Sequence, residues 1–245
     1  MSYRQYEAWG RKKLILDAVE PTHYVRNKLV MRHIKRLKQM GAHHVLEIGC
    51  GVGHLSKKMG LMGLHVDAFD LDKNAIALAK EVNNDSNVTF RSQNLLKYKP
   101  IKKYDMILMI EVLEHIEQDQ IALEKVYTML KAGGSLLLTV PAFEAYRTDF
   151  DHWSGHIRRY TKEDLQQKLE TAGFQVQHAR YFGYPLLKFY YFNGYLRMAR
   201  KKEKLQSGTL PWWISILRVL NKIFLLDLLF NSKKGINLIV LATKK

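Results

Sequence analysis

The sequence predicts an α/β fold built on a mostly parallel sheet. Three observations carry that expectation. Between residues 24 and 142, short apolar runs alternate with segments of helical periodicity. The first run ends in the glycine-rich stretch GCGVG and leads directly into a helix. At 47% apolar and 25% charged, the 245-residue chain has the composition of a folded protein with a sizeable core. A last apolar run completes the sheet, so the chain reads as a single domain over 1–245, with a core at 24–142, insertions and a helical lobe at 143–235, and the last strand at 236–245.

The elements follow in order. Apolar residues Val25, Leu29, Val30, Ile34 and Leu37 recur at the helical period from Tyr24 to Met40, and Gly41 ends the helix. His44–Ile48 is a strand, and His54–Met59 the helix after the glycine loop. His65–Phe69 is a second strand closed by Asp70, and Lys73–Val82 a second α/β crossover helix. Asn87–Arg91, Tyr104–Ile110 and Ser135–Val140 are the next strands, with a helix at Ile121–Leu130 before the last of them. Phe143–Tyr160 reads as irregular, rich in His, Arg and aromatic residues. Thr161 is an N-cap and Gly173 a C-cap for a helix between them. A strand at Gln175–Phe182 follows, then aromatic-rich Gly183–Tyr195, basic Arg197–Lys204, helical Leu210–Phe230 and a strand at Asn237–Ala242.

Several classes are excluded early. The single Cys50 forms neither an internal disulfide nor a cysteine zinc site and suits a reducing compartment. The first twenty residues are too polar for a secretory signal, so a cytoplasmic location is expected. Arg218, Lys222 and Asp227 interrupt the most apolar stretch, each costing roughly 2.5–3.5 kcal/mol at a bilayer centre, so no spanning helix is expected. The net charge is +16. Residues 1–40 hold ten basic and three acidic side chains (+7), residues 41–140 eleven and twelve (−1), and residues 141–245 eighteen and eight (+10). The excess lies outside the core, where it attracts an anionic surface, substrate or nucleic acid through long-range fields.

The chemistry concentrates at Glu47-Ile48-Gly49-Cys50-Gly51-Val52-Gly53. Glycines after a strand let the backbone approach a ligand and leave N–H groups at a helix N-terminus. An acidic residue two positions before the first glycine suits a ligand with an amino acid group better than a pyrophosphate. Asp70, at the end of the second strand, can accept from both hydroxyls of a ribose. Asn94, after the third strand, is placed to meet an adenine edge.

With VLEIGCGVG (45–53), VDAFDLD (66–72), QNLL (93–96), YDMILMIEVLEHI (104–116) and LKAGGSLLLTVP (130–141), the sequence resembles the class I S-adenosylmethionine-dependent methyltransferases. The resemblance implies a Rossmann-like sheet of seven strands, the last antiparallel, with helices on both faces. It implies S-adenosylmethionine as cofactor, with Gly49, Gly51 and Gly53 along its methionyl part and Glu47 supporting its amino group. Asp70 would hold the ribose and Leu71 would pack on the adenine. Asn94 and Leu95 would meet the base, and the Glu111 backbone would face the cofactor. Many relatives read Gly-Asp where Gln93-Asn94 stand here.

Two places offer catalytic side chains. One is Glu111-Val112-Leu113-Glu114-His115, at the carboxyl end of the fourth strand, where ligands collect in open α/β sheets. It resembles the metal-binding stretch of ubiquinone-pathway O-methyltransferases and small-RNA 2′-O-methyltransferases, yet EVLEH occurs widely in the superfamily without a metal. No metal ligand is therefore assigned from sequence. The other is Asp149–Thr161, read either with His156 as a base and Arg158 or Arg159 as holders of an anionic group, or with these Arg and His side chains in salt bridges that anchor the following helix. His115 is the second catalytic candidate. GHIRRYTKEDL resembles a small-molecule methyltransferase subgroup associated with glycan, lipid or natural-product biosynthesis.

Methyl transfer to an oxygen of a small or lipid-linked, acidic acceptor is thus the expected activity. Segment 197–230 is a candidate for packing in a core, against a second copy, or on a membrane surface. RNA methylation is a less favoured alternative, lacking a recognisable RNA-binding module. A cofactor-binding scaffold without catalysis and an NAD oxidoreductase stand further back. A monomer or a homodimer is expected.

Overall fold

The computed structural model describes residues 20–195, 221–230 and 232–245. The predicted cluster Arg197–Lys204 and residues 210–220 of the predicted C-terminal helix lie outside them. Helix α1 spans Pro21–Gln39; Glu20 caps it by accepting from the His23 N–H at 3.0 Å, and Pro21 sits where its missing N–H costs nothing. Strand β1 (His44–Ile48), helix α2 (His54–Gly60), strand β2 (His65–Asp70), helix α3 (Lys73–Val82), strand β3 (Val88–Ser92), strand β4 (Tyr104–Ile110), helix α4 (Asp119–Met129) and strand β5 (Leu130–Pro141) follow. Helix α5 (Asp149–Ser154), helix α6 (Lys162–Thr171), strand β6 (Phe174–Phe182), helix α7 (Leu186–Tyr190) and strand β7 (Asn237–Lys244) complete the order.

The seven strands form one sheet in the order β3-β2-β1-β4-β5-β7-β6, with β7 antiparallel to both neighbours. Apolar clusters cover the two faces. Ala122, Leu123, Val126 and Met129 of α4 and Leu165 and Leu169 of α6 pack on one face, while Val25, Leu29 and Ile34 of α1, Leu55 and Met59 of α2 and Ile76 of α3 pack on the other. The strand order reverses between β1 and β4, which opens a crevice at their carboxyl ends.

The structure corrects several local expectations. Strand β5 starts at Leu130 rather than Ser135, because a register shift opposite Tyr104 and Met106 lets the Lys131–Gly134 stretch project from the edge of the ladder. Part of the segment expected to be irregular is helix α5. Asp151 reaches back to accept from the Thr148 N–H at 2.8 Å and hydroxyl at 3.2 Å, and Gly155, at φ +78°, ends the helix. Only the end of the predicted helix Leu210–Phe230 is described, and it tightens into a 3-10 turn at Leu225–Leu228. Thr161 caps α6 as expected, accepting from the Asp164 N–H at 3.1 Å, whereas the C-cap is Ala172 and Gly173 follows it at φ +96°.

Candidate functional site

The glycine loop sits at the carboxyl end of β1. Gly49, Gly51 and Gly53 all take positive φ, at 73°, 52° and 75°. The loop is tied to β2: the N–H groups of Gly49 and Cys50 donate to the Phe69 carbonyl at 2.8 and 3.1 Å, and the Gly51 N–H donates to Asp70 Oδ2 at 2.8 Å. A Cβ at Gly49 would lie 2.3 Å from Val112 Cγ2, and one at Gly53 2.6 Å from Phe90 Cζ. Both positions therefore need glycine twice over, for backbone and for space. Cys50 is buried, and burial pushes its thiol up, so it is no nucleophile.

The remaining residues predicted for cofactor binding fall around this loop. Glu47 lies buried beneath it and accepts from the Ser56 hydroxyl; burial raises its carboxyl to about 7. Asp70 ends β2, its Oδ1 accepting from the Asp72 N–H at 3.0 Å. Leu71 is 68% exposed at the loop's mouth. Asn94 Oδ1 accepts from the Leu96 N–H at 2.8 Å and so caps the turn Leu95–Lys97, while the Leu95 side chain is buried in the core.

At the end of β4 the predicted ExxEH stretch divides. Glu111 adopts φ +56°, a left-handed conformation that a non-glycine residue holds only when its surroundings enforce it. Here Thr139 Oγ1 donates to Glu111 Oε1 at 2.8 Å, Asn237 Nδ2 to Oε2 at 3.1 Å, and Arg26 Nη1 lies 3.7 Å away. That carboxylate is engaged by β5, β7 and α1. Glu114, in contrast, is fully buried, and neither of its oxygens has a hydrogen-bond partner among the described residues. Burial first, and Glu111 second, push its carboxyl well above the usual range.

His156 arrives from the other predicted place. Its Nδ1 lies 2.9 Å from Asp151 Oδ1, and His115 Nδ1 lies 3.1 Å from the Gly155 carbonyl. A carbonyl and a carboxylate only accept, so in the neutral rings each Nδ1 carries the proton and each Nε2 presents a lone pair. Those two Nε2 atoms face Glu114 Oε1 at 4.0 Å from His115 and 3.9 Å from His156. The rings meet edge-on with centroids 4.9 Å apart. Glu114, His115 and His156 thus bring one ligand-type atom each within 4.8 Å of one another, a group able to hold a divalent metal ion. Burial, then the neighbouring His156, lowers the His115 pKa and favours its neutral form.

Of the two readings of Arg158 and Arg159, the structure shows the salt bridges, which corrects the expectation that they hold an acceptor's anionic group. Arg159 is buried and pairs with Asp151 through two bonds at 2.8 and 2.9 Å, and its Nη1 donates to the Ala142 carbonyl at 3.1 Å. Arg158 pairs with Asp119 at 2.6 Å and donates to the Glu117 carbonyl at 2.9 Å. Arg159 thus ties the loop to the end of β5, and Arg158 ties it to the start of α4. Burial alone would raise the Asp151 carboxyl, but its bonds to His156, Arg159 and Thr148 hold it well below the usual range. Sequence reasoning missed Asp151 as the residue that orients His156, and missed Thr139, Asn237 and Arg26 around Glu111. Only a Thr-x-x-Asp capping pattern at 148–151 gave a signal for the first.

A crevice at the strand-order reversal, a left-handed glycine loop and an acidic residue closing β2 define the class I S-adenosylmethionine-dependent methyltransferase architecture. The family described as a methyltransferase domain matches residues 22–179, and the chain belongs to it. It is 36% identical over 109 residues to the ubiquinone biosynthesis O-methyltransferase of Paraburkholderia phytofirmans, covering 40% of this chain and 47% of that one. It is 27% identical over 133 residues to the enzyme of the same name from Coxiella burnetii, covering 52% and 56%. The chain spans about half the length of the curated relatives it matches. Among solved structures, magnesium protoporphyrin IX methyltransferase from Synechocystis PCC 6803 superposes with a TM-score of 0.57 at 15% identity, covering 92% of this chain and 83% of that one. The [4+2]-cyclase SpnF gives 0.60 at 19% identity, over 83% and 75%. The fold is shared by both, so the reaction is decided by the site. No helix among the described residues is long and apolar enough to cross a membrane.

Proposed function

We propose that the chain transfers the methyl group of S-adenosylmethionine to a hydroxyl oxygen of a small-molecule acceptor. The convergence of Glu114, His115 and His156 beside the glycine loop carries this reading. Gly49, Gly51 and Gly53 would lie along the methionyl part with Glu47 beneath, Asp70 on the ribose, Leu71 on the adenine, and Asn94, Leu95 and the Glu111 backbone closing the pocket. The sulfonium already activates the methyl group, so in-line placement of the acceptor supplies most of the rate. What the acceptor needs is help in losing its proton.

The residues present fit a divalent ion. Glu114 offers two buried oxygens without partners, and an unpartnered buried carboxylate is costly unless it is protonated or ligated. When bound, such an ion lowers the pKa of a coordinated hydroxyl and orients it. Glu114, His115 and His156 would hold it. Asp151 and the Gly155 carbonyl fix which nitrogen of each ring is presented, and Arg159 holds Asp151 in place. The relatives' printed activity, an O-methylation, agrees with a hydroxyl acceptor. Phe143, stacked on Tyr181 at 4.6 Å, and Tyr146, edge-on to Phe192 at 5.9 Å, line the segment after β5 with rings suited to an aromatic or lipid-linked acceptor.

Calorimetry with S-adenosylhomocysteine tests the cofactor, and labelled-methyl transfer to hydroxylated aromatic and polyprenyl-linked acceptors, with and without chelator, tests the rest. His156→Ala should lower transfer by about 10²–10⁴-fold while leaving S-adenosylhomocysteine affinity unchanged. Absence of S-adenosylhomocysteine binding by the unaltered protein would overturn the proposal. Activity indifferent to chelator but lost in His156→Ala would make His156 the base without an ion.

A further inference from the structure

Beside edge strand β6 lies a surface whose chemistry methyl transfer does not use. Helix α1 carries Arg32, His33 and Arg36, and β6 contributes His178 and Arg180, two residues apart on one side of the strand and within reach of the α1 charges. The His33 and His178 rings lie 5.7 Å apart. None of these five cationic or titratable groups is in an ion pair with a described residue, and the charges acting on the two histidines are all basic: Arg32, Arg36, Arg180 and Lys162. Such mutual repulsion disfavours the compact state unless an anion offsets it.

Joined to this cluster is an apolar edge. Arg180 Nη2 donates to the carbonyls of Leu228 and Phe230 at 2.6 and 2.9 Å, which fixes the stretch 221–230 beside it. The stretch is anchored from within. Asp227 is buried and accepts from the N–H groups of Leu186 and Leu187 at 3.1 and 2.8 Å, capping α7, while Phe224, Leu225 and Leu228 pack against the core. Its other face points outward: Ile223, Leu226, Leu229 and Phe230 are 47%, 46%, 77% and 57% exposed. Asp227 is the only acidic residue in 221–245, and Lys222, Lys233 and Lys234 flank the exposed edge. On α7, Phe189 is 71% exposed.

We propose that this face, with Arg32, Arg36 and Arg180 beside the exposed edge of 223–230, seats the protein on an anionic lipid bilayer. The apolar side chains would enter the headgroup boundary and the basic groups would meet lipid phosphates. A soluble polyanion needs only the charges, and a second protein copy would not be drawn to a like-charged cluster. The bilayer alone matches both halves of the surface. The inference stands apart from the methyl-transfer reading, because none of these residues belongs to that site.

Flotation of the full chain with phosphatidylcholine vesicles, with and without phosphatidylglycerol, tests it. Binding is expected to require phosphatidylglycerol and to weaken with salt. Leu229→Ser with Phe230→Ser should abolish flotation, and Arg32→Gln with Arg36→Gln should weaken it by about fivefold per residue. S-adenosylhomocysteine calorimetry on each variant reports that the fold and cofactor site are intact. No flotation at low salt overturns the proposal. So does flotation unchanged by the Leu229/Phe230 variant, which would mark a purely electrostatic polyanion site, or a dimer that dissociates in that variant, which would give the face to a second copy.

Discussion

The two halves of this crevice are built by different means. On the cofactor side, the glycine loop is held by backbone: three left-handed glycines, N–H bonds to the Phe69 carbonyl, and one carboxylate, Asp70, only nineteen residues from the N–H it accepts. On the acceptor side, order comes from side chains brought together from distant segments. His156 faces Glu114, Arg158 reaches Asp119, and Tyr160 donates to Asp119 Oδ2 at 3.0 Å. The first kind of construction tolerates little change of backbone but needs few charges. The second depends on buried ions that are safe only while all partners are present.

That contrast can be broken from either end. Arg159→Leu removes one partner of a buried pair and leaves Asp151 short of two bonds; it should cost about 3–5 kcal/mol in urea unfolding and misplace His156, so methyl transfer falls while S-adenosylhomocysteine affinity in the folded fraction holds. An unchanged unfolding midpoint would show that the loop is anchored elsewhere. Gly49→Ala should do the reverse. The left-handed residue costs about 1–2 kcal/mol and the overlap with Val112 a further 1–3 kcal/mol. Its measured consequence should be lost S-adenosylhomocysteine affinity, with the Glu114, His115 and His156 group intact; wild-type affinity would mean that the loop can shift without cost.

The smallest expected effect concerns pH. Burial, with His178, Arg32 and Arg36 nearby, lowers the His33 pKa to about 4, and His178 is likewise lowered, by burial and then by Arg180, Lys162 and Arg36. A base whose pKa is lowered on folding contributes stability that is complete above the ordinary value of 6.5 and is lost as pH falls toward 4. The melting temperature should therefore drop between those values, and drop less in His33→Gln. Equal slopes in the two proteins would remove the cluster as a source of acid sensitivity.

Much of the cofactor side could be read directly from residue order. Glycines at 49, 51 and 53 between a strand and a helix, and an aspartate closing the next strand, act within one β-α-β unit, where spacing dictates geometry. Strand boundaries came within a residue or two for the same reason, except at β5, whose early start depends on a register shift with β4. The acceptor side was legible only in its parts. His115 and His156 each stood out, but their meeting depends on the Gly155 carbonyl, forty residues along the chain, accepting a hydrogen bond from His115. Whether Arg158 and Arg159 meet an acceptor or anchor the loop stayed open in sequence, because Asp119 and Asp151 could not be seen to face them.

By itself, then, the sequence determined the α/β class, the glycine loop and the aspartate that closes the next strand, since periodicity and left-handed glycines are local properties of the chain. Tertiary structure alone decided which of the loop's charged residues are spent on anchoring and which are left facing one another. It turned Glu111 toward Thr139 and Asn237, left Glu114 buried without a hydrogen bond, and placed two histidine nitrogens beside it. The physical reason is that a buried charge takes its state from whatever partner the fold brings within about 4 Å, and chain order carries no record of that partner.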